Sequence, residues 1–165
     1  MIFYNARAII TKVEGDGEIV LVQRCNRTGV PGRYKFPGGC SEWGESIMDT
    51  LKREVMEEVG LTVTKIHGIE TYRNNGDYES FTPFAVYFGK EGWVFKDGEF
   101  AGQRAKSVGV HFICEAVGTP LESGDKSTEI GWVTPERLRA ILNENGSFGD
   151  GDRGAAELYC VKNGV

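Results

Sequence analysis

Between Gly39 and Leu61 the chain reads GCSEWGESIMDTLKREVMEEVGL, with Gly39, Glu45, Arg53, Glu54, Glu57, Glu58 and Gly60 at spacings that gather acids around one arginine. Aliphatic side chains fall at Val55 and Leu61. At ordinary residue frequencies, all nine in register arise by chance in a chain this long less often than roughly one time in a million. On a helix turning about 100° per residue, Glu54, Glu57 and Glu58 occupy a sector of roughly 100°, so three carboxylates share one face. Their repulsion costs some tenths of a kcal/mol per pair, which a bound cation offsets. Carboxylate ligands with no His or Cys beside them suit a hard ion, Mg²⁺ or Mn²⁺, which also takes oxygens from a bound phosphate. A bare ExxEE reads more readily as a solvated acidic face; Glu45, Arg53 and the glycines in register reverse that in favour of the metal.

The elements that must position these residues are legible around them. Ser46 is an N-cap with Asp49 at the third helical position, and Gly60 followed by Leu61 is a stop, which bounds a helix of about three and a half turns. Ile47, Met48, Leu51, Val55 and Val59 lie on the neighbouring face, so the helix packs on a sheet while its acids point into a groove. Gly38 and Gly39 form a turn that lets a backbone carbonyl approach the metal. Before it, Arg24 to Pro37 is a loop carrying Arg24, Arg27, Arg33 and Lys35, of which Arg24, Arg33 and Lys35 are candidate substrate-binding cations.

Two β-rich runs, Ala6 to Val13 and Glu18 to Gln23, flank the turn Gly15-Asp16-Gly17 and predict a hairpin. Val63 to Tyr72 and Phe81 to Phe88 read as strands around the turn Asn74-Asn75-Gly76-Asp77, and Val108 to Val117 as another. The glycine-dense stretch from Gly89 to Gly109 reads as an extra hairpin or a loop. Trp132-Val133 is a short strand entering a helix capped by Thr134, with Pro135 first, running to about Asn145. A last helix is expected around Arg153 to Val161.

Composition bounds the class. The 165 residues suit one domain, 1–165, and the hydrophobic 40% and charged 26% are ordinary for a soluble protein. No apolar run approaches the roughly 18 residues of a membrane span. The start, MIFYNARAII, has neither a basic leader nor a cleavage site. Cys25, Cys40, Cys114 and Cys160 lack paired spacing and read as reduced thiols of a cytoplasmic protein, with Cys40 a small buried residue. A net charge of −5 argues against a broad nucleic-acid face but leaves a nucleotide ligand open, because metal offsets the acids locally. His67 and His111 read as satisfied sheet residues.

The run from Gly39 matches GX5EX7REUXEEXGU, U being aliphatic, so the chain resembles the Nudix hydrolase family. The resemblance implies an α+β fold, the Nudix α/β/α sandwich, with a mixed sheet flanked by helices. It implies Mg²⁺ (or Mn²⁺) as cofactor, a nucleoside diphosphate linked to a further moiety as substrate, and water attack on phosphorus. Gly38, Glu54, Glu57 and Glu58 would hold the metal, Arg53 would orient the carboxylates, and Glu45 would bind metal or hold Arg53. Glu54, Glu57 and Arg53 are then catalytic; the proton acceptor is Glu54 or a later glutamate, for which Glu129 is the candidate, with Glu122 and Asp125 behind it.

Thr50 and Leu51 stand where family members often carry alanines, a matter of packing. The markers of coenzyme A and NADH hydrolases and the proline of many ADP-ribose hydrolases are absent. Tyr78, seventeen residues past Leu61, sits near a tyrosine of dinucleoside polyphosphate hydrolases. Tyr78, Trp93, Phe95 and Phe100 are candidates to stack on a base or ribose. Homodimers are common in the family. A nucleotide-binding sensor that does not cleave, and an isopentenyl-diphosphate-isomerase-like enzyme, are the rival readings.

Overall fold

The computed structural model describes residues 1–25, 32–124 and 127–165. Strand β1 (Ile2–Glu14) turns through Gly15-Asp16 into β2 (Gly17–Cys25), pairing Thr11 with Val20 and Glu14 with Gly17, which is the expected hairpin. Short strands β3 (Tyr34–Lys35) and β4 (Gly38–Cys40) lead to helix α1 (Ile47–Val59). Strand β5 (Thr62–Ile66), the ribbon β6 (Arg73–Asn74) and β7 (Glu79–Ser80), then β8 (Ala85–Phe88), β9 (Trp93–Val94) and β10 (Arg104–Val117) follow. Strand β11 (Ser127–Val133) and helices α2 (Pro135–Asn143) and α3 (Asp150–Lys162) complete the order.

The main sheet runs β11-β2-β1-β10-β5, with β3 beside β2, β4 beside β1, and β8 and β9 beside β10. It is mixed, because β1 pairs parallel with β10 from Ile2 opposite Lys106 to Ile10 opposite Cys114, while its other pairings are antiparallel. Alternation along the strands fills both faces. Ala6, Ala8, Ile10 and Leu21 pack with Leu51, Val55 and Val59 of α1, and Ile9, Val20 and Val22 pack with Leu138 and Ile141 of α2 and Tyr159 of α3. The sheet thus lies between α1 and the pair α2–α3, and the chain has the α/β/α sandwich. No helix among the described residues is long and apolar enough to cross a membrane.

Helix α1 forms where its caps put it. The Ser46 hydroxyl oxygen accepts from the Asp49 amide at 3.0 Å, and Gly60, at φ 71°, donates its N–H to Met56 O at 3.0 Å. Its first turn is tied to the β6–β7 ribbon, since the Ile47 amide donates to Glu79 Oε2 at 2.8 Å.

Several boundaries differ from the sequence reading, and β1, β11 and α3 begin earlier than expected, at Ile2, Ser127 and Asp150. The strand expected from Val63 to Tyr72 ends at Ile66, because Gly68 reverses the chain at φ 80° into a 3₁₀ turn over Ile69–Thr71. Of the run from Phe81 to Phe88 only Ala85–Phe88 pairs, and Pro83, which has no N–H, stands in the part left out. Within Gly89 to Gly109 the hairpin alternative is realised, with Ala105 opposite Trp93 and Phe95 packed between Phe3 and Phe100, so β10 begins at Arg104.

Candidate active site

Arg53 organises the acids of α1. Its Nε and Nη2 donate to the two oxygens of Glu45 at 2.8 and 2.9 Å, and Nη1 donates to Glu54 Oε1 at 2.9 Å and Glu57 Oε2 at 3.1 Å. Glu45 therefore holds Arg53. It also accepts from the Thr50 hydroxyl at 2.8 Å and the Glu42 amide at 3.0 Å, and the bonds from Arg53 above all lower its pKa from 4.5 to about 2.

That depressed pKa has a sign. Glu45 contributes stability in full above its unfolded value of 4.5, and loses it as pH falls toward about 2. Glu45→Gln should cost about 1.5–3 kcal/mol at neutral pH. In urea titrations at several pH values the gap between variant and parent should close below pH 4.5; a gap independent of pH would overturn this role.

Glu54 sits against the glycine turn. A Cβ on Gly39 would stand 2.4 Å from the Glu54 carboxyl carbon, so only glycine leaves the carboxylate its recess. Gly38, at φ 138°, runs so close to β1 that a Cβ would lie 2.1 Å from Ala6 O. Burial raises the Glu54 pKa, Arg53 opposes the rise, and Glu58 and Glu57 add to it. A carboxylate in that environment is a stronger base than one in water.

Glu58 lies apart from its neighbours in environment. Its side chain is 7% exposed, against 15% for Glu54 and 50% for Glu57. Oε2 accepts from Gln23 Nε2 at 2.6 Å and the Gly38 amide at 2.8 Å, and Oε1 accepts from Lys35 Nζ at 2.5 Å. The Gly38 carbonyl, expected to face a metal, accepts from Arg7 Nη1. Among the described residues no three of His, Cys, Asp or Glu are grouped to hold an ion. Internal cations instead neutralise the acids: Arg53 serves Glu45, Glu54 and Glu57, and Lys35 serves Glu58.

The donor set nevertheless fits a hard cation. Glu54 Oε2 and Glu57 Oε1 accept no hydrogen bond among the described residues, and every candidate ligand atom is oxygen. A divalent ion bound there would acidify a water and neutralise charge on a phosphoryl group. Glu54 and Glu57 have oxygens available for it; Glu58 and Gly38 have theirs engaged.

Beyond Gly38 opens a cleft of about 580 Å³, with Arg7, Arg33, Tyr34, Lys35, Tyr87 and Lys90 in its walls. At its floor Asp152 of α3 is buried. Asp152 Oδ1 lies 3.7 Å from Arg7 Nε and 2.9 Å from His111 Nε2, and Oδ2 accepts the Phe36 amide at 3.0 Å. Burial pushes the Asp152 pKa up, but Arg7, His111 and that amide outweigh it and the net shift is downward.

The structure thus brings Arg33 and Lys35 to one cleft and sends other candidates elsewhere. Arg24 stacks over the Tyr34 ring and pairs through Nε with Glu129 Oε2 at 2.7 Å, so the Glu129 carboxylate engages Arg24 rather than a motif residue. Glu129 stands on a β-bulge at φ 48°, an uncommon conformation for a side-chain-bearing residue. Tyr78 is 70% exposed on the β6–β7 ribbon, and Phe95 is spent on ring packing. Glu122 lies in a bend after β10; Arg27, Asp125 and the Trp93 side chain lie outside the described residues.

His111 is buried and bonded to Asp152, and His67 is exposed and bonded to Glu115. Cys40, the last residue of β4, is exposed rather than buried, and its thiol donates to Asn5 Oδ1 at 3.0 Å. Sequence reasoning missed Arg7, Gln23 and Asp152. Only Arg7 carried a signal, as a lone charge inside an apolar strand.

The family model for the NUDIX domain matches residues 3–151. The chain belongs to the NUDIX family. A protein of Salmonella agona named nucleoside triphosphatase NudI is 25% identical over 134 residues, 76% of this chain and 79% of that one. A Xenopus laevis protein named nucleoside diphosphate-linked moiety X motif 6 is 46% identical over 48 residues, a match that spans 29% of this chain and 21% of that protein. The fold matches that of the NUDIX domain of Shewanella oneidensis NrtR, solved with ADP ribose, at a TM-score of 0.67, with 11% identity over 99% of this chain and 89% of that one. The intact motif, the NUDIX domain and the relative named a nucleoside triphosphatase support a Nudix pyrophosphohydrolase. Nudix hydrolases generally use a divalent metal.

Proposed function

We propose that this protein is a Mg²⁺-dependent hydrolase that cleaves the pyrophosphate bond of a nucleoside diphosphate linked to another moiety, by attack of water on phosphorus. The observation that carries the reading is the placement of Glu54: a carboxylate of raised pKa, oriented by Arg53, recessed against Gly39. Such a group is suited to take the proton of a metal-bound water. Glu57 and Glu54 supply the first oxygens for the ion, and Arg33 with Lys35 supplies positive charge for the phosphate chain.

The name of the Salmonella relative puts nucleoside triphosphates first among substrates to try, and the ligand of the NrtR domain puts ADP-ribose second. Nucleotide sugars and dinucleoside polyphosphates complete the panel. With Mg²⁺ and product identification, one class should be cleaved at a diphosphate and none after chelation by EDTA. Binding in calorimetry with no phosphate-containing product from any of them would make the protein a sensor and overturn the reading. A cytoplasmic site of action accords with four cysteines that lack paired spacing.

A further inference from the structure

Lys35 belongs to two places at once. Its backbone is fixed in β3 opposite Gln23, its ammonium is buried against Glu58 Oε1, and the residue also lines the cleft that holds Arg7 and Arg33. The two oxygens of Glu58 are held differently. Oε2 is anchored by the Gly38 amide and the Gln23 amide, which are neutral donors rooted in β4 and β2. Among the described residues Oε1 accepts from the Lys35 ammonium alone, a cation on a flexible four-carbon stem. An ammonium at 2.5 Å and a divalent ion compete for that oxygen, because two cations at such close range repel.

We propose that Lys35 is a positioning residue that competes with the divalent cation for Glu58, and releases it when an anion in the adjacent cleft draws the ammonium away. Cation and phosphate-bearing ligand then bind cooperatively. The proposal rests on the reading of Glu58 as a metal ligand, and the chain's own geometry supplies the rest. Lys35 leaves Oε1 for the cleft while Oε2 keeps its two anchors, so the carboxylate changes partner without leaving its place. Because linkage is reciprocal, the ion should tighten the anion by the same factor that the anion tightens the ion.

The test is Mn²⁺ binding, followed by paramagnetic resonance, to the wild-type chain, Lys35→Met and Lys35→Gln, with and without AMP. Without AMP both variants should bind Mn²⁺ about fivefold or more tightly than wild type. AMP should tighten Mn²⁺ by a similar factor in wild type and leave the variants unchanged. Equal or weaker Mn²⁺ affinity in folded variants, or the same AMP effect in all three, overturns the proposal. If neither variant folds, the Lys35 ammonium resonance of ¹⁵N-lysine-labelled wild type decides: it should shift on saturation with Mg²⁺ and AMP together, and an unmoved signal overturns the proposal. None of these readouts needs turnover, so a protein that cleaves nothing on the substrate panel could still show the coupling, and the two readings fail separately.

Discussion

Replacing Glu54 by glutamine is expected to give a folded protein whose turnover is down by about 10²–10⁴-fold, the range for losing a positioned proton acceptor. Glutamine has the shape of glutamate, so it fills the recess at Gly39 and its carbonyl still accepts from Arg53 Nη1. What disappears is a negative charge that burial and the neighbours Glu57 and Glu58 already disfavour. Stability should therefore move by no more than about 1.5 kcal/mol, the net worth of one hydrogen bond. Thermal melts and steady-state rates on the cleaved substrate check the two halves together. Wild-type turnover in Glu54→Gln would remove Glu54 from the chemistry and pass the role of base to another carboxylate. Glu129, held by Arg24, would then be the next to test.

The contrast between Glu54 and Glu58 shows where sequence stops informing. Helical periodicity placed both on one face, and both are on α1, but one further turn carries Glu58 beneath β3 and β4, where Lys35, Gln23 and the Gly38 amide meet it. That meeting depends on the register of β3 with β2, a tertiary pairing with no local signature. Ser46 and Gly60, by contrast, act on their own neighbours in the chain, which is why the ends of α1 were legible. Thr134 and Pro135 likewise start α2 as expected, and Gly68, also a local signal, ends the strand near Val63 where the sequence reading carried it on. Arg7 lies between these extremes. Strand alternation puts it on the face opposite Ala6 and Ala8, on the α2–α3 side of the sheet, half-buried in the cleft wall where a charge requires a partner, but nothing local names Asp152.

Asp152→Ala is expected to be the most destabilising exchange near the site, costing about 3–5 kcal/mol, the range for breaking a buried ion pair from one side. Three groups lose a partner together: the Arg7 guanidinium its carboxylate, and His111 Nε2 and the Phe36 amide their acceptors. Asp152→Asn should fall between alanine and wild type, because an amide oxygen can still accept from Phe36 while the charge opposite Arg7 is gone. Urea unfolding of the three proteins at neutral pH measures the order. The linkage sign gives a second check. The Asp152 pKa is depressed in the folded state, so its contribution is full above the ordinary value of 3.8 and fades as pH falls below it. The wild-type and alanine curves should therefore converge in acid. Asp152 fixes Phe36, and Arg7 fixes the Gly38 carbonyl, so the network sets the turn against which Glu54 rests. Losing it should lower stability and turnover together, where Glu54→Gln lowers turnover alone. An Asp152→Ala protein within 1 kcal/mol of wild type, on the order of one surface substitution, would mean that the turn is held by β1 and β4 without help from α3.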